Sequence, residues 1–425
     1  MNRFSIHYIV ILIFSASVSA FAETASEPSK TTPPSFWESP TLTGNWGGVR
    51  KTLEDKGITF PVSYTIDVLG NPVGGASRGT AYTGVLGLGA HIDFQKLAGW
   101  QGASFGTQWY WIDGQDLSAK HINNRFTVDG LASFSTFRMN SLWFQQNLFS
   151  DKISLRAGIL SLDTEFENSS VGGLFINTVF GWSPFLANNI PNGGPNYPMG
   201  APGVRLALNP VDWFTYQGAI TQGNVYAPNV NRHGFRWRLN NDIGYLFIQE
   251  AIFHLNPSGK YWGNYRFGSW IFSGQTPSPA DENVNQHDNY GFYFMGDQMI
   301  LPTSTEDKNQ GLAAFTHIAF DPPHRNLFQF YVDGGLTYTG PLSCRPNDSI
   351  GIAFAYGQLS EGAVIGATDG IGSSCNGEFL LEATYRLQLT GWMTLQPDLQ
   401  YIVQPGGVEG IPNALVVGLR ASVNF

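Results

Sequence analysis

The chain ends in Asn413-Ala414-Leu415-Val416-Val417-Gly418-Leu419-Arg420-Ala421-Ser422-Val423-Asn424-Phe425. Side chains of a strand alternate between two faces. One face of this stretch carries Leu415, Val417, Leu419, Ala421, Val423 and Phe425, and the other carries Val416, Gly418, Arg420, Ser422 and Asn424. One side is oil and the other mostly polar. Working back, residues 378–390 repeat the pattern, with Phe379, Leu381, Ala383, Tyr385, Leu387 and Leu389 opposite Glu382, Thr384, Arg386 and Gln388. Residues 393–403 follow in step after a very short turn around Thr390-Gly391-Trp392, and there Leu395, Leu399, Tyr401 and Val403 alternate with Gln396, Asp398 and Gln400. Ser154 and Arg156 alternate with Ile153, Leu155 and Ala157 in the same manner.

Alternation alone suits a soluble sandwich as well as a membrane barrel. Strand count, export and aromatic content separate the two. About sixteen strand-like segments begin near residues 60, 82, 102, 135, 152, 202, 213, 242, 262, 289, 310, 326, 349, 378, 392 and 414, a number within the range of membrane barrels. Short connections (149–152, 209–212, 256–260) alternate with long ones (113–134, 161–201, 222–241, 274–288). Tight periplasmic turns and longer outside loops give this rhythm. It breaks near residues 321–348, where the outside loop is short and the inside turn longer, so a misassigned strand is expected there. The predicted fold is all-β, a transmembrane antiparallel barrel.

Composition agrees. Gly accounts for 50 of 425 residues, aromatics for 14% and charged residues for only 13%, against a soluble average of about 25% charged. The net charge of −9 comes without a basic run, which argues against nucleic-acid binding, since phosphate contacts need clustered Lys and Arg. Met1-Asn2-Arg3, an apolar run over residues 6–18 and Ala20-Phe21-Ala22 read as a signal peptide over 1–22, cleaved after Ala22. The run is shorter than the roughly 20 residues needed to span a bilayer, and no stretch of 18 apolar residues follows it, so helical spans are excluded. Residues 23–40, rich in Ser, Thr and Pro, read as a flexible leader. Within 41–58, Val49 and Leu53 at helical spacing predict a short amphipathic helix, capping the periplasmic mouth or packing outside. The barrel domain then runs from 59 to 425.

Several motifs occur in order along the mature chain: Leu42-Thr43-Gly44-Asn45-Trp46-Gly47-Gly48-Val49-Arg50, Gly99-Trp100-Gln101-Gly102-Ala103, Leu155-Arg156-Ala157-Gly158, Glu382-Ala383-Thr384-Tyr385-Arg386-Leu387-Gln388-Leu389-Thr390, Leu395-Gln396-Pro397-Asp398-Leu399-Gln400-Tyr401 with Pro405-Gly406-Gly407, and Gly418-Leu419-Arg420. A single one would be weak; several with matching spacing are specific. Through them the chain resembles the carbohydrate-selective outer-membrane porins, the OprB-like family. The resemblance implies a sixteen-stranded porin in a Gram-negative outer membrane, passing mono- and small oligosaccharides into the periplasm by passive, selective diffusion. A general diffusion porin is the alternative. Sugar solutes, outer-membrane lipids and the assembly machinery of that membrane are the expected partners. Many porins trimerise, so a homotrimer is a possible state, although no residue demonstrates it.

A sixteen-stranded barrel is wide enough to keep an aqueous channel, so selectivity must come from whatever narrows it. The longest connection, 161–201, carries Phe180, Trp182, Phe185 and Tyr197 and the amides Asn188, Asn189, Asn192 and Asn196. Rings offer apolar faces to pyranose C–H groups and amides exchange hydrogen bonds with hydroxyls. This loop is expected to fold inward as the constriction. By the two-residue period Arg138, Arg156, Arg266, Arg386 and Arg420 fall on the polar face with Glu382 and Asp398, and Arg205 joins them. Guanidinium forks and carboxylates along a lumen suit neutral polyols; the competing reading is a solvated wall pairing within itself. Trp109 and Trp111 share a face with Phe105 and Thr107, and lipid-interface anchoring is expected for them and for Trp143, with sugar stacking as the alternative.

Cys344 and Cys375 admit two readings. An exported pair is usually bridged, yet the strand count places them at opposite ends of one strand, beyond the roughly 7 Å between Cα atoms that a disulfide tolerates. No His spacing suggests a metal, and no cofactor is implied. Ser, His and Asp occur without a motif that would unite them, which leaves an outer-membrane hydrolase unsupported. A plugged transporter needs typically 22 strands and a plug domain, more than this length holds.

Overall fold

A sheet greasy on one face and wet on the other can hide its unpaired backbone edges in a bilayer only by closing on itself. This chain does so by pairing its last strand with its first. The computed structural model describes residues 35–279, 281, 283–304, 307–360 and 377–425. Within them sixteen strands form the wall: β1 (Val62–Val73), β2 (Gly79–Asp93), β3 (Ala103–Gly114), β4 (Thr136–Leu148), β5 (Ile153–Leu160), β6 (Ala201–Val211), β7 (Phe214–Gln222), β8 (Tyr245–Leu255), β9 (Gly263–Pro277), β10 (Asn285–Pro302), β11 (Gly311–Phe320), β12 (Phe328–Thr339), β13 (Ser349–Leu359), β14 (Gly377–Gln388), β15 (Met393–Val403) and β16 (Ala414–Asn424). Each pairs antiparallel with the next, and β16 closes on β1 with Arg420 opposite Asp67 and Val423 opposite Tyr64. All sixteen begin within a few residues of the expected starts. The suspect region contains no misassigned strand: β12 is continuous and pairs with β13 along its length apart from a bulge at Gln329, and the connections on either side of it, 321–327 and 340–348, are simply a short outside loop and a longer turn.

Alternation places the faces as the physics requires. On β16, Val417 and Leu419 are exposed to the hydrocarbon side while Val416 and Ser422 are buried in the lumen. On β14, Leu381 points out and Glu378, Glu382 and Thr384 point in. Aromatic rings gather outside near both strand ends, as interfacial anchors do. Trp213 stacks on Phe253 beside Phe267 and Phe294, and Trp109 stacks on Phe137 near exposed Trp111.

Trp143 corrects the expectation of an anchor. Arg138 and Trp143 are an odd number of residues apart, so a strict two-residue period sends them to opposite faces. The β3–β4 register runs Gln108 to Ser141 but Trp109 to Met139, leaving Asn140 as an extra residue. Such a bulge resets the parity. Both Arg138 and Trp143 consequently face the lumen, and Gly106 opposite Trp143 is required by the close approach, since a Cβ there would lie 2.3 Å from the indole.

The segment before the barrel lies across the turn ends. It forms α1 (Val49–Asp55) and is tied to the C-terminus by Leu42 N–H donating to Asn424 O at 2.7 Å and Arg50 Nη2 to Phe425 O at 2.6 Å. Cys344 is exposed in the turn after β12; the stretches expected as signal peptide and most of the leader, and Cys375, lie outside the described residues.

Candidate functional site

The connection between β5 and β6, residues 161–200, turns into the lumen. Its own turns are short: α2 (Pro184–Ala187) and several single 3₁₀ turns, so its position is set by what it touches. Two kinds of contact hold it. On the β8–β12 side the wall contributes a large apolar cluster: Leu246, Ile248, Trp270, Phe272, Tyr293, Met295, Phe315 and Tyr331 are buried together with Phe166, Phe180, Phe185, Leu186 and Ile190 of the loop. Small residues make room elsewhere, and a Cβ on Gly351 would come within 2.7 Å of Phe175. Polar wall residues then accept the loop's backbone donors. Glu382 takes Ile176 N–H and Asn177 N–H at 2.6 and 3.1 Å, Glu250 takes Glu167 N–H at 2.9 Å, and Asp297 takes Ser170 N–H at 3.0 Å. Gln396 donates to Leu174 O, Tyr331 to Val179 O, and Asn289 to Asn189 O. Irregular backbone at membrane depth is tolerated only where it is satisfied in this way.

The named loop residues therefore hold positions that the sequence does not disclose. Phe180 packs edge-on against Phe315, and Phe185 lies among Tyr293, His317 and Tyr331; both rings are sealed between loop and wall. Trp182, also buried, donates to Gly193 O at 3.0 Å. Asn189 is an anchor, donating to Asp321 and accepting from Leu327 N–H. Asn188 caps its own turn at Pro184 O, and Asn192 meets Asn224. Tyr197 is half-buried, edge-on to Tyr110 at 5.0 Å, with its hydroxyl on Leu131 O.

The lumen arginines that keep part of their side chains exposed, Arg156, Arg266 and Arg420, fall with their partners into two groups. In the first, Glu165 of the loop bridges Arg156 (Nη1 to Oε1, 2.6 Å) and Arg205 (Nε to Oε2, 2.6 Å), which are register partners on β5 and β6. Gln145 Oε1 accepts from both guanidinia at 2.9 and 3.1 Å, and Arg156 lies 3.9 Å over the Trp143 ring. Arg266 reaches Glu250 at 3.4 Å and Glu165 O at 3.3 Å. In the second group Arg420 forks onto Asp67 (2.8 and 2.5 Å), with Asp129 of the 115–135 connection at 3.7 Å. Burial, and next the charge of Asp67, push the Asp129 carboxyl well above its usual range.

Of the remaining candidates, Glu382 and Asp398 lie side by side, and Asp398 is within the field of Arg420. Glu382 is fully buried under the loop donors named above, and Asp398 accepts from Gln400 at 2.8 Å. Arg138 is fully buried over the Phe134 ring, 5.2 Å away, and its guanidinium has no hydrogen-bond partner among the described residues. Arg386 sits near the turn end of the lumen, 3.4 Å from Ser349 Oγ. Sequence reading passed over Asp67, Asp129, Glu165, Glu250 and Gln145. Asp67 was accessible to it, since Ser63, Thr65 and Asp67 alternate with Tyr64, Ile66 and Val68; Glu165 was not, because a loop residue has no period.

Comparison with known proteins decides the family. The model for "Carbohydrate-selective porin, OprB family" matches residues 77–425. The chain belongs to the OprB family. Porin B of Pseudomonas aeruginosa is 26% identical over 421 residues, covering 90% of this chain and 91% of that one, and the putative porin QuiX of Acinetobacter baylyi is 25% identical over 418 residues, covering 90% and 93%. The high-pH structure of Pseudomonas putida OprB superposes with a TM-score of 0.83 at 26% identity, covering 92% of this chain and all of that one. As an OprB-family barrel the chain is a carbohydrate-selective channel of the Gram-negative outer membrane.

Proposed function

We propose that mono- and small oligosaccharides diffuse passively into the periplasm through the strip of lumen beside Glu165, Arg156 and Trp143. One observation carries this reading: Glu165 is held by Arg156 and Arg205 beside the Trp143 ring and the Gln145 amide. Compensated charges of this kind hold fixed donors and acceptors without a strong net field, which suits a neutral polyol better than an ion. Hydroxyls entering the strip exchange water for guanidinium, carboxylate and amide partners, and a ring face meets the pyranose C–H surface. Exchange at several weak sites lets a solute leave as well as enter.

Planar-bilayer recordings of the purified, refolded barrel test it, with mono- and disaccharides titrated against simple salt. Glucose or a small oligosaccharide should reduce the ion current saturably. A current indifferent to every sugar up to high concentration would instead mean a general diffusion pore.

A further inference from the structure

On the turn side of the inward loop a second cavity opens, about 500 Å³ in volume, between Ser170-Val171 of the loop and the ends of β8–β12 and β14. That volume lies within the range of small-molecule sites. Its charged lining is of one sign: Arg386 and Lys308 contribute, and among the described residues no carboxylate lines it. Asn264, Asn309 and Thr339 supply neutral polar groups around them.

Arg386, like Arg138, lacks a counter-charge among the described residues, and of the two it is Arg386 that lines this cavity. Arg156 and Arg205 share Glu165, Arg266 has Glu250, and Arg420 has Asp67 and Asp129. Arg386 has no ion pair among the described residues, and its nearest partner is the Ser349 hydroxyl at 3.4 Å, itself 3.1 Å from Thr339 Oγ1. Lys308 Nζ donates to Pro257 O at 3.1 Å and has no ion pair among the described residues either. A guanidinium in a confined site without an anion is costly unless something negative or well hydrated meets it.

We propose that this cavity is a binding site for sugars that carry a carboxylate, such as aldonic or uronic acids. The Arg386 fork takes the carboxylate bidentately, Lys308 adds a point charge, and the Asn and Thr side chains take the hydroxyls. A neutral sugar lacks the group that the site leaves unpaired, so the cavity discriminates by charge where the Glu165 strip does not. The inference rests on the sugar-diffusion reading above.

The test compares gluconate with glucose as blockers added from the periplasmic side, in wild type and in Arg386→Gln, Arg386→Lys and Lys308→Gln. Wild type is expected to bind gluconate at least tenfold more tightly than glucose. That preference should vanish in R386Q, and in R386K and K308Q it should fall only part of the way. Equal block by the two sugars in wild type, or a preference that survives R386Q, overturns the proposal while leaving sugar diffusion intact. If R386Q fails to assemble, a preference unaltered in both R386K and K308Q overturns it too. Absence of block by either sugar removes both readings.

Discussion

Glu165 is the residue on which the polar strip turns. It is supplied by the loop yet neutralises two wall arginines, with contacts of 2.6 Å on each side, and Gln145 can accept from the guanidinia but cannot offset their charge. In Glu165→Gln two adjacent positive charges stay in the lumen uncompensated. The reversal potential in a KCl gradient should move toward anion preference, and sugar block should weaken several-fold as the arginines lose their fixed orientation. A reversal potential unchanged from wild type would show that Glu165 does not face the conducting path. Individual charges were only half legible beforehand: Arg156, Arg205 and Arg420 could be placed on the wet face by period, whereas their partners come from a loop and from the far end of the chain.

The inward loop is an element whose attachment includes a titratable contact. Glu167 is buried where the loop meets the wall; Ser183 donates to it through N–H and Oγ at 3.2 and 2.8 Å, while Glu250 and His317 face it from β8 and β11. Burial pushes its carboxyl up to about 7. Because the folded-state value is raised, the protonated form is the one that stabilises. That contribution is fully present below the ordinary carboxylate range and is lost as pH rises through about 7, a difference on the order of 3 kcal/mol for a shift of this size. Raising pH from 6 to 8 should therefore increase open-channel noise and proteolytic access to residues 161–200. Glu167→Gln, which keeps an acceptor for Ser183, should flatten the dependence. A pH profile identical in the variant would show that another group controls the loop.

At the scale of the whole molecule, the barrel is filled asymmetrically. The inward loop seals an apolar cluster and several buried carboxylates on the β8–β12 side, whereas Arg156 and Glu165 across from it stay partly exposed. Deleting 185–197 removes Phe185, Leu186 and Ile190 from that cluster and Asn189 from its anchors on Asp321 and Leu327. Single-channel conductance should rise at least twofold, and sugar selectivity should fall with it. Unchanged conductance would mean that the loop leaves the narrowest section untouched.

The alternation in β14, β15 and β16, the strand starts and the lengths of the connections were all readable from the chain, because a strand between oil and water fixes every second side chain locally. The parity of Trp143, the burial of Phe180 and Phe185, the union of Arg420 with Asp67 and the clamp on Glu165 were not. Each depends on a bulge, on closure of the sheet or on the path of a long irregular segment. Period-two patterning is enforced residue by residue by the solvent on either side of the wall, so the sequence, through that pattern together with strand count, the expected export signal and aromatic content, determines that a barrel forms. Which groups meet inside it is decided by contacts between segments remote along the chain, and only the tertiary structure brings those together.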